Sequence, residues 1–353
     1  TGTCNEYCPS RKKNVMNGYP KVNYIGNKEK IADWIVSLIP QNAETFFDAF
    51  SGGASVSYAA KKKGLCVYSN DILRINYFLA KSWIENNNIT LTEKDVDTLF
   101  QGVPFEGFMY REYANTYYYP DECKTLDLLR HNIESLNDEY KKALAFSLIR
   151  RAMIRKMPYS RFTINWSKIQ QLRDEKFSYE HYKRSRSYHN KSFKYHVEDN
   201  LSAYNNAVFS NRKENKALNL DVFDAIDKVS ADVIYMDPPY AGTMNDYHGF
   251  YGVLDSYINE EKSRPFDNNF QSKDTISEMF EKLFGKLKKY RYWMLSYNSK
   301  AKPAKDELLS IIYKFAKSVE VFEMPYAYKV TGKEKKQKDI EYLFRVKNDN
   351  YGK

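Results

Sequence analysis

Apolar positions change their spacing several times along the chain, and those changes divide it into regions. Residues 1–20 are polar and without period. Ile31, Trp34, Ile35 and Leu38 then recur at helical spacing, and Pro40 ends that helix. Thr45 to Phe50 reads as a short buried strand, Ser51-Gly52-Gly53-Ala54-Ser55 as a tight turn, and the residues beyond as a helix. Leu65 to Ser69 predicts a second strand ending at Asn70-Asp71, with a helix from Leu73 to about Glu85. From about residue 73 to 210 the strand period is gone. Thr92 with Asp95 predicts a capped helix through Leu99. Further helices are expected over Glu106 to Tyr118, Pro120 to Leu136 and Glu139 to Met157. In the last, Ala143, Phe146, Leu148, Ile149, Met153 and Ile154 form an apolar stripe beside Arg150, Arg151, Arg155 and Lys156.

The alternation of strand and helix then returns. Lys216 to Leu220 predicts a strand, Val222 to Val229 a helix, and Ala231 to Met236 a β-branched buried strand. Ala241 to Gly252, rich in glycine and aromatics, predicts a mobile loop beside whatever site the sheet carries. Asp274 to Tyr290 is amphipathic, with Ile276, Met279, Phe280, Leu283 and Leu287 inward. Tyr292 to Tyr297 is a strand, Glu307 to Lys317 a helix, and Val319 to Met324 with Ile340 to Val346 a closing pair. Their connection, holding Lys333 and Lys335, is a flexible basic loop suited to phosphate contact.

Asp237-Pro238-Pro239-Tyr240 follows the Ala231 to Met236 strand directly. Two prolines forbid both further pairing and an immediate helix, so the carboxylate sits at the carboxyl end of a buried strand before a stiff turn. That edge of an open α/β sheet is where ligands bind. The arrangement suits a base's exocyclic amino group, a poor nucleophile because its lone pair is delocalised into the ring. A carboxylate and a fixed carbonyl that both accept its hydrogens draw it toward tetrahedral geometry, and a tyrosine gives an extruded base a face to stack on. The earlier glycine turn, between a strand and a helix, lets a ligand approach backbone and lets the helix pack closely. Asp71, roughly 20 positions further, can grip ribose hydroxyls, cap the next helix, or do both.

At 353 residues with 42% hydrophobic content, the chain can bury a large core and is not disordered as a whole. No apolar run reaches the length of a membrane span, and the polar opening predicts no secretory leader. Cys4, Cys8, Cys66 and Cys123 lack framework spacing, which suits a reducing cytoplasm; Cys4 and Cys8 have no second pair near them to complete a zinc site, so no metal is expected. The formal charge is +10, and there are 31 tyrosines. The basic residues concentrate between Arg150 and His196, where Arg151, Arg155, Lys156, Arg161, Lys183, Arg184 and Arg186 alternate with Tyr159, Phe162, Trp166, Tyr179, Tyr182 and Tyr188. Cations of this density neutralise phosphates, and Arg and Asn side chains, Asn165 among them, can read base edges. His248 is read as a DNA-contact or structural histidine, because Asp237 or water suffices to take the amino proton.

Taken in order, Tyr24-Ile25-Gly26-Asn27-Lys28, Asp48-Ala49-Phe50-Ser51-Gly52-Gly53, Asn70-Asp71 and Asp237-Pro238-Pro239-Tyr240 resemble the motif series of the D12 class of DNA adenine-N6 methyltransferases, the Dam-like α-order group. The likeness is greatest to those of type IIS restriction–modification systems. It implies S-adenosylmethionine as cofactor, with Tyr24 and Lys28 near its methionine moiety, Asp48, Phe50, Ser51 and Gly52 beneath it, and Asp71 on its ribose. Asp221 would accept from the adenine amino group of the cofactor, beside Val222, and Asp237 closes the site; the bland alternative for Asp221 is a helix N-cap. Met157 to Trp166 is similar to the relatives' segment near the flipped base. The implied fold is a seven-stranded, mostly parallel α/β sheet with an antiparallel final hairpin, the Rossmann-like class I methyltransferase. Residues 1–20 would be a tail, 21–72 and 211–353 the catalytic domain, and 73–210 an inserted, mainly helical target-recognition domain. The expected reaction is methylation of N6 of an adenine flipped from double-stranded DNA, with Asp237 and the Pro238 carbonyl orienting the amino group, Pro239 stiffening the turn and Tyr240 stacking. A sulfonium donor is already activated, so no metal is needed. The expected setting is the cytoplasm of a prokaryotic cell, as a monomer, with a cognate restriction endonuclease acting on the same site without a stable complex. The rivals are RNA adenine-N6 and DNA cytosine-N4 methylation, and a non-catalytic DNA-binding subunit.

Overall fold

The computed structural model describes residues 18–183, 187–239, 247–265, 270, 272, 274–326, 339–348 and 351. Its frame is a seven-stranded sheet: β1 (Thr45–Asp48), β2 (Cys66–Asn70), β3 (Lys216–Leu218), β4 (Val233–Met236), β5 (Tyr292–Asn298), β6 (Glu320–Tyr326) and β7 (Asp339–Lys347). The spatial order is β3-β2-β1-β4-β5-β7-β6. The first five strands pair in parallel, while β7 runs antiparallel between β5 and β6. The expected mostly parallel sheet with an antiparallel final hairpin is thus what forms. Strand order reverses between β1 and β4, and the carboxyl ends there open a crevice.

Side chains alternate between two cores. Phe46, Val233, Tyr235, Met294 and Leu343 face one apolar cluster. Phe47, Ile234, Met236, Leu295 and Phe344 face the other. The second face is covered by α11 (Val222–Lys228), α13 (Ile276–Gly285) and α14 (Lys305–Ile312). The first carries α1 (Ala32–Ser37), α2 (Ser55–Lys62), α3 (Arg74–Ala80) and α12 (Tyr247–Asn259). A π-helical turn, Lys81–Glu85, extends α3 to the predicted end of that helix.

Between β2 and β3 the described residues also form α4 (Glu93–Leu99), α5 (Phe108–Tyr113), α6 (Pro120–Ile133), α7 (Glu139–Lys156), α8 (Trp166–Arg173), α9 (Glu175–Tyr182) and α10 (Phe193–Asn206). Thr92 and Asp95 close the predicted capping box, with Asp95 N–H donating to Thr92 Oγ1 at 3.1 Å and Thr92 N–H to Asp95 Oδ2 at 2.8 Å. The interval's buried residues join the first sheet face in one continuous cluster, which runs from Phe46 through Leu79 and Trp83 to Phe146 and Met153. The amphipathic reading of α7 needs correction. Residues from Ala143 to Ile154 are buried all round it, because helices pack on more than one side. The predicted loop Ala241 to Gly252 is also shorter than expected, since α12 begins at Tyr247; residues 241–246 lie outside the described residues. No helix among the described residues is long and apolar enough to cross a membrane.

Candidate active site

The crevice at the switch point is a cleft of about 720 Å³ including its open mouth. Its floor is the turn between β1 and α2. Ser51 N–H donates to the Asn70 carbonyl at 2.8 Å, and Gly52 N–H to Asp71 Oδ2 at 2.8 Å. Gly52 has φ +50°, and a Cβ there would lie 2.6 Å from Tyr24 Cε1. Only glycine therefore permits both the turn and the overlying ring. Tyr24, Lys28, Asp48, Phe50, Ser51, Gly52, Asp71, Val222 and Asp237 all line the cleft, as does Pro239.

Met236, the last residue of β4, lies opposite Leu295 of β5, so Asp237 emerges at the sheet's carboxyl edge. The buried Lys28 ammonium holds it, at 2.9 Å from each Asp237 carboxylate oxygen. Lys28 also lies 3.3 Å from Glu341 Oε1 on β7. Pro238 is buried and does not line the cleft; Tyr240 lies outside the described residues.

Burial pushes the Asp48 carboxyl up to about 7. A Ser57 hydroxyl at 2.7 Å from Oδ2 opposes this, while the Asp237 and Asp71 carboxylates add to it. Among the described residues, buried Asp48 Oδ1 and Ser51 Oγ have no hydrogen bond of good geometry, though the Phe50 amide faces the Asp48 carboxyl. Polar atoms left this way at a cleft are poised for a polar, cationic ligand group. Burial likewise raises Asp71 to about 6, against N–H groups of Leu73 and Gly52. Asp71 Oδ1 accepts from Leu73 N–H at 2.9 Å, so this carboxylate faces the cleft and also fixes the chain entering α3. Asp221 does not line the cleft. It caps α11, accepting from Phe223 N–H at 2.8 Å, while its neighbours Leu220 and Val222 supply cleft wall.

The residues expected to touch DNA divide sharply. Arg151 and Lys156 are 4% and 2% exposed. Arg151 Nε reaches Asn200 Oδ1 at 3.4 Å; Lys156 Nζ donates to the Lys191 carbonyl at 2.5 Å and pairs with Glu122 at 2.9 Å. Both belong to the interior, which corrects the sequence expectation: inside a helix-packed wall they bind the protein to itself. Arg155 is half-buried, its guanidinium 4.8 Å from the Tyr188 ring centre. Arg161 is half-buried beside Tyr159, whereas Asn165 and Lys183 are exposed. Asn165 also caps α8, accepting from Lys168 N–H at 2.9 Å. Arg184, Arg186, Lys333 and Lys335 lie outside the described residues, as do Cys4 and Cys8. His248 Nε2 lies 3.0 Å from the Ser263 carbonyl, consistent with a structural histidine.

Other supporting residues escaped the sequence reading. Tyr251 of α12 stacks on Tyr24, with ring centres 4.9 Å apart, and its hydroxyl accepts Ile25 N–H at 2.7 Å. The guanidinium of buried Arg150 lies 5.8 Å from the Tyr251 ring centre, and its Nη1 donates to the Val22 carbonyl at 2.7 Å. Asp255, also on α12, accepts the Arg74 and Ile75 N–H groups at 3.0 and 2.9 Å and so caps α3. These partners are far apart in sequence, and no local pattern joins them. Glu341 did leave a trace, as a charged residue within the apolar run from Ile340 to Phe344.

Residues 24–308 match the family model of the D12 class N6 adenine-specific DNA methyltransferases. The chain is 54% identical over 330 residues to the type II methyltransferase M2.HphI of Haemophilus parahaemolyticus, covering 94% of this chain and 98% of that protein. It is 24% identical to the modification methylase StsI of Streptococcus sanguinis and to the type II methyltransferase M.FokI of Planomicrobium okeanokoites, spanning about half the length of each. The cleft, the sheet and these likenesses agree: the chain is an enzyme, and it belongs to the D12 class of N6 adenine-specific DNA methyltransferases.

Proposed function

We propose that the cleft binds S-adenosylmethionine and that Asp237 presents a flipped adenine to it. When bound, this donor supplies a methyl carbon already activated by the positively charged sulfur that carries it. Asp48 and Ser51 would receive the donor's polar groups, Gly52 its close approach to the backbone, Asp71 its ribose, and Phe50 and Val222 its apolar faces. Asp237 and the Pro238 carbonyl would accept the two hydrogens of the adenine amino group, leaving its lone pair turned toward the cleft. Asp237 is also placed to take the proton that the amino group loses. Pro239 stiffens this turn, and Tyr240 would stack on the base. Extrusion costs a few kcal/mol, which DNA contacts must offset. Arg155, Arg161, Asn165 and Lys183, with Arg184, Arg186, Lys333 and Lys335, are the candidates for those contacts, and the 73–210 interval for target recognition.

The observation that carries this reading is the Lys28–Asp237 pair at the cleft edge, 2.9 Å long, with Asp237 itself 17% exposed. It fixes a carboxylate without sealing it. By analogy with the type II relatives, the enzyme would protect host DNA in a prokaryotic cytoplasm, acting as a monomer beside a separate endonuclease. The test is transfer of a labelled methyl group from S-adenosylmethionine to duplex DNA, followed by digestion to nucleosides. Label in N6-methyldeoxyadenosine is expected. Label in N4-methyldeoxycytidine, or preferential labelling of RNA, would overturn the assignment.

A further inference from the structure

Asp237 and Glu341 stand on different strands, yet the sheet turns both toward the same face. Tyr235 of β4 and Leu343 of β7 both point into the first core, and residues two positions away share that side. Glu341 lies opposite Asn298 of β5 and Met324 of β6, so its backbone is paired on both sides. The adjoining Ile340 is tied further: Ser299 N–H donates to its carbonyl at 2.9 Å, and Ile340 N–H to Ser299 Oγ at 3.1 Å. From this fixed point the Glu341 carboxylate, 0% exposed, reaches Lys28 Nζ at 3.3 Å. A buried carboxylate is costly unless a cation meets it, and the Lys28 ammonium meets this one.

We propose that Glu341 is a positioning residue for methyl transfer, acting through Lys28 on Asp237. This rests on the reading of Asp237 as the group that holds the target amino nitrogen. A lysine side chain has four rotatable bonds, so a second anionic partner restricts where its ammonium can sit. The second carboxylate, on a strand paired along both edges, fixes the ammonium and thereby the carboxylate opposite it. There is also a charge consequence. One ammonium between two ionised carboxylates leaves the cluster with one net negative charge. The positive charge that appears on the methylated nitrogen then develops beside an anion, where it is stabilised. With Glu341 neutral, Lys28 and Asp237 cancel and that attraction is lost.

A four-protein cycle on the full chain tests this: wild type, Glu341→Gln, Lys28→Met and the double variant. Single-turnover transfer to duplex DNA, calorimetric affinity for S-adenosylmethionine and Tm are read for each. Glu341→Gln is expected to slow transfer about 30-fold while changing donor affinity less than about threefold. In the Lys28→Met background the same change should alter transfer less than about twofold, because the route to Asp237 is already cut. The Tm should fall with Glu341→Gln alone and fall less in the Lys28→Met background, where that ion pair is already broken. A merely structural glutamate would lower Tm while leaving single-turnover transfer within about twofold of wild type. Transfer within about twofold of wild type, or full multiplication of the two effects, would overturn the proposal. A wild-type chain that leaves adenine unmethylated would overturn the reading of the site instead, and the Tm cycle would then still decide whether Glu341 and Lys28 are coupled.

Discussion

The cleft and the basic stretch of the helical interval carried similar weight in the sequence, yet the structure treats them differently. In the cleft, residues chosen by motif and spacing converge. Tyr24, Lys28, Asp48, Ser51, Asp71 and Asp237 come from four separate chain segments and line one space. In the interval, residues chosen by composition scatter. Lys156 pairs with Glu122 inside the protein, while Lys183 faces solvent at the end of α9. The aromatic rings sort likewise: Phe162 and Phe193 are buried, whereas Tyr159, Tyr179, Tyr182, Tyr188 and Tyr195 are exposed. A motif specifies position as well as type. Composition specifies only type, and the burial of a lysine is decided by partners elsewhere in the chain.

That contrast can be broken from either side, and the largest effect belongs to the cleft. Asp237→Ala should lower kcat at least about a thousandfold, since the amino group loses its oriented acceptor. DNA affinity by fluorescence anisotropy should stay within about threefold. A variant that keeps near-normal turnover would remove Asp237 from the chemistry.

Next comes the electrostatics of the cleft. Asp48, pushed up to about 7, and Asp71, raised to about 6, bind protons more tightly folded than unfolded. The stability linked to them is complete below the ordinary carboxylate range and is lost as pH rises through about 6 to 7. The ligand-free Tm should therefore fall between about pH 5 and about pH 8, and Asp48→Asn should flatten the upper part of that fall. The same substitution should weaken S-adenosylmethionine binding about tenfold, because an amide cannot supply the charge. An unchanged pH dependence of Tm would contradict the burial argument.

The interval yields smaller, opposed effects. Lys156→Ala should cost about 2–3 kcal/mol of stability in urea unfolding, because it strips one of two cations from half-buried Glu122. Arg173 remains, at 2.6 Å. The salt dependence of DNA affinity should not change in that variant. Arg161→Ala should do the reverse, leaving Tm in place and lowering the slope of log affinity against log salt by about 1. If Lys156 moved the slope and Arg161 moved the Tm, the division between interior and DNA-facing cations would be wrong.

The legible part of this fold was whatever depends on short stretches. Thr92 and Asp95 announced their capping box three residues apart, and the sheet's buried strands were visible in continuous apolar runs such as Val233 to Met236. Gly52 was legible as a turn glycine, though not the reason for it, which is a tyrosine ring 28 positions earlier. The support for Tyr24 was not legible. Tyr251 reaches it, with Arg150 over the Tyr251 ring, across more than 100 residues, through packing that only the finished core defines. The reading of α7 failed for the same reason. A stripe of apolar residues beside arginines looks half-exposed until further helices close over the second side.

The central claim is that this cleft methylates N6 of adenine in DNA under the direction of Asp237. The most direct measurement is a base-resolved map of N6-methyladenine in DNA from cells without adenine methylation of their own. One culture would express the wild-type chain and another Asp237→Ala. The account predicts complete modification at a single short sequence with the wild type, and none with the variant. Absence of any modified sequence with the wild type, or equal modification by the variant, would contradict it.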